Sequence, residues 1–272
     1  MKRYLLLILI SLMTLSCGQK KDPDQSYIIH DEKPSVVSTS VDKNLDQRVM
    51  TSSLKGISFS DDSCDSNNIQ RDILIFREKI ESLGGQLLDL TDYQEGLIGL
   101  QNFLNDSGLE GNDANDFANA GTKSKMSKCN VKNLVPPRSC WYRTLTFGLL
   151  MKKIENETGV KTNLTSHYRN KCYNKLVKGK AKSDHISAKA VDISLGGQEN
   201  RFKVERYICD QMWKENYFTD ISDKAPLLNI SIGLGETFLH LGLDSIHGRR
   251  HWLYKNYVKN NQMPQTCWIP KS

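Results

Sequence analysis

His185 and Asp192 stand seven residues apart in the run SDHISAKAVDIS, and His240 lies in a second apolar run, FLHLGL. Imidazole and carboxylate are zinc-ligand types. Two His and one carboxylate would fill three coordination positions and leave the fourth for water, the composition of a catalytic site. Spacing alone does not assign that role, because a single His on a strand is more often a hydrogen-bonded residue of the core.

For these side chains to meet, the runs that carry them must be neighbouring strands. In AVDIS (190–194), Ala190, Asp192 and Ser194 share one face while Val191 and Ile193 share the other, so a carboxylate joins a strand whose opposite face is apolar. His185 is expected in the loop before it. Further β-like runs fall at 229–232 and 237–243, and residues 161–166 read as a strand entering HYRN. Leu145, Leu149 and Leu150 lead a helix that stops at Gly159, and Val204, Ile208 and Met212 suggest another. The expected class is α+β: a small antiparallel sheet with flanking helices carrying the His/Asp/His site.

Upstream, Ile69, Ile73, Phe76, Ile80 and Leu83 recur at helical spacing and stop at Gly84–Gly85. A second helix is expected from Thr91, with Gln94 in a capping-box position, through Leu97, Leu100 and Leu104 to Gly108. The stretch 110–128 is expected to be a long loop. The resulting division is 1–16 signal peptide, 17–63 lipidated and disordered tether, 64–132 helical N-terminal region, and 133–272 the domain that carries the chemistry.

The run SHYRNKCYNKLVKGKAKSDHISAKAVDIS resembles the first signature of the zinc D-alanyl-D-alanine carboxypeptidase family, which includes vancomycin-resistance carboxypeptidases and phage endolysins. Ser166, Tyr168, Arg169, Tyr173, Asn174, Val177, Ser183, His185, Ala190 and Asp192 fall into register. FLHLGLDSIHGRRHW resembles the second signature. The resemblance spans roughly residues 135–255. It implies that His185, Asp192 and His240 hold Zn²⁺, that Arg169 grips a substrate carboxylate or a developing oxyanion, and that Tyr168 and Ser183 contact substrate.

Two positions depart from the family pattern. The Gly three residues after the first His is Ala188 here, acceptable if the backbone avoids positive φ. The general base of relatives lies three or two residues before the last His, where this chain has Thr237 and Phe238, or two residues after it, where this chain has Gly242. Glu236 is the first candidate, provided that Gly233 and Gly235 bend the chain, and Asp244 is the second. A family member that kept the metal and lost turnover, serving as a cell-wall-binding module, is the main rival reading. A peptidoglycan endopeptidase is the other.

The remaining features concern location and partners. MKRYLLLILISLMTLSC has a charged start and an apolar run too short to span a bilayer, and Leu15–Ser16–Cys17 resembles a lipoprotein box with Cys17 as the lipidated residue. Gly18 after it resembles sorting to the outer membrane, so a membrane-anchored, exported protein facing the periplasm is expected. Six further cysteines, Cys64, Cys129, Cys140, Cys172, Cys209 and Cys267, permit three disulfides in an oxidising compartment. The formal charge of +6 is split unevenly, with −6 over 17–132 and +10 over 133–272. That balance does not argue for nucleic acid. The expected partner is peptidoglycan stem peptide.

Overall fold

The computed structural model describes residues 27–30, 64, 69–109, 114–213, 230–235, 238–245 and 247–254. Cys17, Glu236, Thr237 and Cys267 lie outside them, so the expected lipidation site and the first candidate base do too. Tyr27–His30 forms strand β1, which lies within the stretch expected to be a tether.

The expected first helix forms as α1, Ile69–Ser82, burying Ile75, Phe76 and Ile80 and also Asp72. The second begins later than expected. The Asp89 carboxylate accepts from both the amide and the hydroxyl of Thr91, each at 2.8 Å, so Thr91 sits inside a short 3-10 turn and caps no α-helix. Helix α2 is Leu97–Asp106. The segment expected to be a loop contains two short helices, α3 (Ala114–Asn119) and α4 (Lys123–Lys128). Both are six residues long, too short for a hydrophobic period to show.

Helix α5, Trp141–Thr158, is the central element, and its residues Trp141 to Met151 are all buried. Gly159 ends it in the left-handed conformation at φ 66°, where a residue without Cβ avoids the usual penalty, and its N–H bonds Glu155 at 2.8 Å. Strand β2 (Asn163–Ser166), helix α6 (Lys171–Leu176), strand β3 (Ala190–Ser194) and helix α7 (Gln198–Tyr207) follow. A π-helical turn, Ile208–Trp213, continues α7. Strands β4 (Ile230–Leu234), β5 (Phe238–Leu243) and β6 (Arg250–Leu253) complete the fold.

The architecture is α+β, with the sheet order β1-β6-β4-β5-β3-β2. Every pairing is antiparallel except β4 with β6, so the sheet is mixed where an antiparallel one was expected. The cause is connectivity: the chain leaves β5 and returns on the far side of β4, running in the β4 direction. One hydrophobic cluster joins Phe76, Ile80, Phe103 and Leu104 of the first two helices to α5 and to Val191, Leu239 and Leu241 of the sheet. Packing therefore has no boundary at 132/133.

Disulfides Cys64–Cys140 and Cys129–Cys172 cross-link the chain, and Cys209 is also disulfide-bonded. Among the described residues, no helix is long and apolar enough to cross a membrane.

Candidate metal centre and substrate cleft

Strands β3 and β5 pair so that Asp192 sits directly opposite His240. Residues opposed in this way have their Cβ atoms about 5 Å apart on one face. His185 arrives from a 3-10 turn, Asp184–Ser187, just before β3. That turn is closed by Ala188 at φ 53°, the left-handed conformation that an L-residue enters at a cost of about 1–2 kcal/mol. The condition under which Ala188 would replace the Gly without strain is therefore not met. Its N–H bonds to the Asp184 and His185 carbonyls hold the turn in place.

Ligand atoms of His185, Asp192 and His240 all lie within 4.8 Å of one another. Asp192 is the centre of the group: Oδ1 is 2.8 Å from His240 Nδ1, and Oδ2 is 3.2 Å from His185 Nε2. Burial alone would raise the Asp192 pKa, but the neighbouring His185 and His240 outweigh it and hold the carboxyl well below the usual range. Burial lowers the His185 pKa. The site thus presents an ionised carboxylate and a neutral imidazole, the protonation states that a metal requires.

The hydrogen bonds also fix the tautomer of His185. Its Nδ1 is 2.7 Å from the His167 carbonyl, which can only accept, so Nδ1 carries the proton. Nε2 then presents a lone pair to an Asp192 oxygen that also presents one. Two acceptors at that separation are stabilised by a cation between them. His240 Nε2 is buried without a hydrogen-bond partner among the described residues, a further donor atom not committed to the protein. The donor set suits zinc.

Behind the site, His167 is fully buried and held neutral by burial, its pKa pushed down to about 3. Its Nδ1 is 3.0 Å from the Ala190 carbonyl and its Nε2 is 3.0 Å from Thr144 Oγ1. It therefore joins helix α5 to both ligand-bearing segments. A second anchor is ionic. Arg143 Nη1 donates to the Ser187 carbonyl at 2.7 Å, while its Nε and Nη2 grip buried Asp72 of α1 at 2.5 and 3.0 Å.

Asp244, the second candidate base, takes Arg71 of α1 at 2.5 Å and Lys189 at 3.0 Å. Its carboxylate ties α1 to the ends of β3 and β5, a structural role that competes with service as a base. Gly242 is also explained: a Cβ there would meet Ser231 Oγ at 2.2 Å and stand 3.5 Å from Asp184 Oδ2. The position that some relatives give to an acid has no room for one here unless Ser231 moves. Asp184 itself is held by Ser245 and Arg250, each at 3.1 Å.

A cleft of about 370 Å³ opens beside Asp192, with Arg169, Ser166, Ser194, Tyr173 and Phe238 among its lining residues. Arg169 donates through Nε to Ser166 Oγ at 2.7 Å and through Nη2 to Asp192 Oδ2 at 2.5 Å. Tyr168 instead packs on the small cluster of Met126, Leu134 and Tyr173, and Ser183 precedes the His185 turn; neither is among the residues that line the cleft. Sequence reasoning missed Ser166, Tyr173 and Phe238 as lining residues. Ser194 was legible through its place on the Asp192 face, and Ser166 pairs with Asp192 across β2 and β3.

Residues 116–223 match the family model described as Peptidase M15, which bears out the resemblance drawn from the sequence signatures. The matched stretch contains Arg169, His185 and Asp192 and ends before His240. No curated protein and no solved structure is matched by the chain.

Proposed function

From the M15 peptidase relationship that residues 116–223 carry, we propose that the chain is a zinc-dependent hydrolase of peptidoglycan stem peptides, acting as a D-Ala-D-Ala carboxypeptidase. His185, Asp192 and His240 hold the ion. What zinc supplies when bound is a water acidified to a pKa of about 7 and a polarised scissile carbonyl. His167 fixes the His185 ring, and Asp192 stays ionised against both imidazoles.

Arg169 is the observation that carries the carboxypeptidase reading. Its guanidinium stands in the cleft wall beside Asp192, oriented by Ser166, with Nη1 uncommitted among the described residues. A planar cation so placed suits the free C-terminal carboxylate of a peptide whose last amide lies at the metal. Glu236, between Gly235 and Phe238, is the proposed general base. The Gly235 N–H bonds the Phe238 carbonyl at 2.9 Å, so the chain does turn between β4 and β5.

The test is hydrolysis by zinc-loaded protein of a stem peptide ending in D-Ala-D-Ala, alongside the same peptide with an amidated C-terminus. Cleavage of the free acid alone supports carboxypeptidase action. Equal cleavage of both points to an endopeptidase, and full zinc occupancy without cleavage of either establishes the non-catalytic module. Glu236→Gln should keep zinc and lose about 10²–10⁴-fold in rate.

Export and lipidation at Cys17 are proposed with it, on the N-terminal sequence and on disulfides that need an oxidising compartment. In this reading the protein is anchored on the periplasmic face of the outer membrane.

A further inference from the structure

Between Asp116 and Glu155 the chain carries no acidic residue, and between Glu157 and Asp184 it again carries none. The fold brings parts of these two stretches together. Cys129, just after α4, is bonded to Cys172 in α6, and the Thr122 amide donates to the Tyr173 hydroxyl at 2.8 Å. Met126 and Leu134 pack on Tyr173 beneath them. The loop after α6 is folded back on it, with Asn174 donating to the Lys180 carbonyl at 2.9 Å and accepting through its own carbonyl from Gly179 at 2.8 Å.

The outer surface of this unit is cationic. Lys123, Lys128 and Lys132 from the first stretch, and Lys171, Lys175, Lys178, Lys180 and Lys182 from the second, are all exposed. None of the eight has an ion-pair partner among the described residues. Surface lysines are ordinarily interspersed with carboxylates, as Lys153 with Glu157 and Lys203 with Glu199 are elsewhere in this chain. Eight like charges on one cross-linked unit repel one another, so the unit is most stable beside a polyanion. Tyr173 and Val177 of the same unit line the cleft that contains Arg169 and Asp192. The unit that bears the lysines therefore also forms part of the cleft wall.

We propose that the lysine-bearing face of α4, α6 and the 177–182 loop is a docking surface for the carboxylate-rich strand of the polymer whose peptide enters the Arg169 cleft. This rests on the peptidase reading for the identity of the polymer. Lysine suits such a surface: its ammonium is a strongly hydrated point charge on a flexible stem, which attracts carboxylates without fixing one geometry. Arg169 alone, inside the cleft, supplies the geometric grip. The face would hold the polymer near the cleft while successive stem peptides are sampled, an effect that salt screens beyond about 10 Å at 0.1 M.

The experiment uses the zinc-loaded full chain with poly-L-glutamate as a carboxylate polymer and with vesicles containing phosphatidylglycerol as an alternative anionic surface. The variants are Lys171→Glu/Lys175→Glu/Lys180→Glu and the neutral Lys171→Gln/Lys175→Gln/Lys180→Gln, each checked for an unchanged melting temperature. The parent should bind poly-L-glutamate with an affinity that drops about tenfold or more between 50 and 300 mM salt. The Glu variant should lose binding by a similar factor, with the Gln variant between. Cleavage of a short stem peptide should match the parent in both variants.

Undiminished binding of poly-L-glutamate by the Glu variant overturns the proposal. So does binding of vesicles without binding of poly-L-glutamate, which makes a membrane the occupant. A parent that cleaves no peptide yet binds poly-L-glutamate through these lysines leaves the docking surface standing and removes the peptidase reading.

Discussion

At the scale of single residues, the site turns on Asp192. One carboxylate meets two imidazoles and a guanidinium, at 2.8 and 3.2 Å from His240 and His185 and 2.5 Å from Arg169. With a metal bound, the two imidazoles and Asp192 would share the ion, and Arg169, hydrogen-bonded to Asp192 Oδ2, would keep the carboxylate aimed. Replacing Asp192 with Ala should lower zinc content sharply, measured by elemental analysis after dialysis, while the protein stays folded because the position is part-exposed at the cleft. Undiminished zinc would sink the ligand assignment. The sequence made His185, Asp192 and His240 legible because a strand alternates its faces and because ligand types are few. It hid what depends on three-dimensional neighbours. Nothing in the spacing of Asp72 and Arg143, 71 residues apart, announces a bidentate pair that holds the carbonyl next to the ligand turn. Asp244 looked available as a base because its partner Arg71 lies 173 residues away in sequence.

Elements carry that positioning. The His185 turn is fastened from three directions: by His167 behind it, by the Arg143 N–H to the Ser187 carbonyl, and by Lys189 to Asp244. Arg143 is 1% exposed and Asp72 is wholly buried. Arg143→Met should therefore destabilise by about 3–5 kcal/mol, because it strands a buried carboxylate. Arg143→Met with Asp72→Leu should recover much of that in a melting experiment. If the single and double variants melt alike, the pair is not what binds α1 to α5. A pH test addresses the other side of α5. Tyr142 is 2% exposed, donates to the Leu88 carbonyl at 2.7 Å, and has its pKa pushed up to about 12 by burial and by the Asp89 charge. A raised pKa means that the folded state favours the neutral phenol. Its stabilisation is complete below the unfolded value of about 10 and is lost as pH rises through the folded value, amounting to about 2–3 kcal/mol. Tyr142→Phe should thus melt below the parent at neutral pH, for want of one hydrogen bond, and above it near pH 12. Parallel pH curves would refute the assignment. Helix periods and the AVDIS alternation were readable because these elements are long or strictly two-faced. The late start of α2, the brevity of α3 and α4, and the parallel β4–β6 pair were not, since each is settled by a turn or a crossover and not by a period.

For the whole molecule, the question is which parts fold as a unit. The sequence invites a division at 132/133, where composition and charge change, and the family relationship begins at 116. A single packed cluster spans that position. Phe76, Ile80, Leu100, Phe103 and Leu104 are each 0% exposed and lie in the same cluster as Leu145, Leu150, Val191 and Leu241. The Asp72–Arg143 pair crosses it, and Cys64–Cys140 covalently closes a sequence separation of 76 residues over it. Burying a side chain such as Leu or Phe is worth about 1.5–3 kcal/mol, so five of them are worth about 7.5–15 kcal/mol, comparable with the whole net stability of a typical domain, about 5–15 kcal/mol. A bridge adds about 2–4 kcal/mol. A chain beginning at residue 133 would expose that apolar surface on α5 and leave Arg143 without its carboxylate. It should show no cooperative melt, retain helical far-ultraviolet signal at most, and bind zinc weakly, because the Ser187 carbonyl and Lys189 lose their anchors. A chain beginning at residue 60 keeps Cys64, α1 and α2, and among the described residues gives up only β1 and its pairing with β6 at the sheet edge. It should melt cooperatively, bind zinc at parental stoichiometry, and melt at lower temperature once its disulfides are reduced. If instead the chain from 133 folds cooperatively with full zinc, then the first two helices are an appendage, and the clamp they form on the ligand-bearing turns contributes nothing the sheet does not already supply.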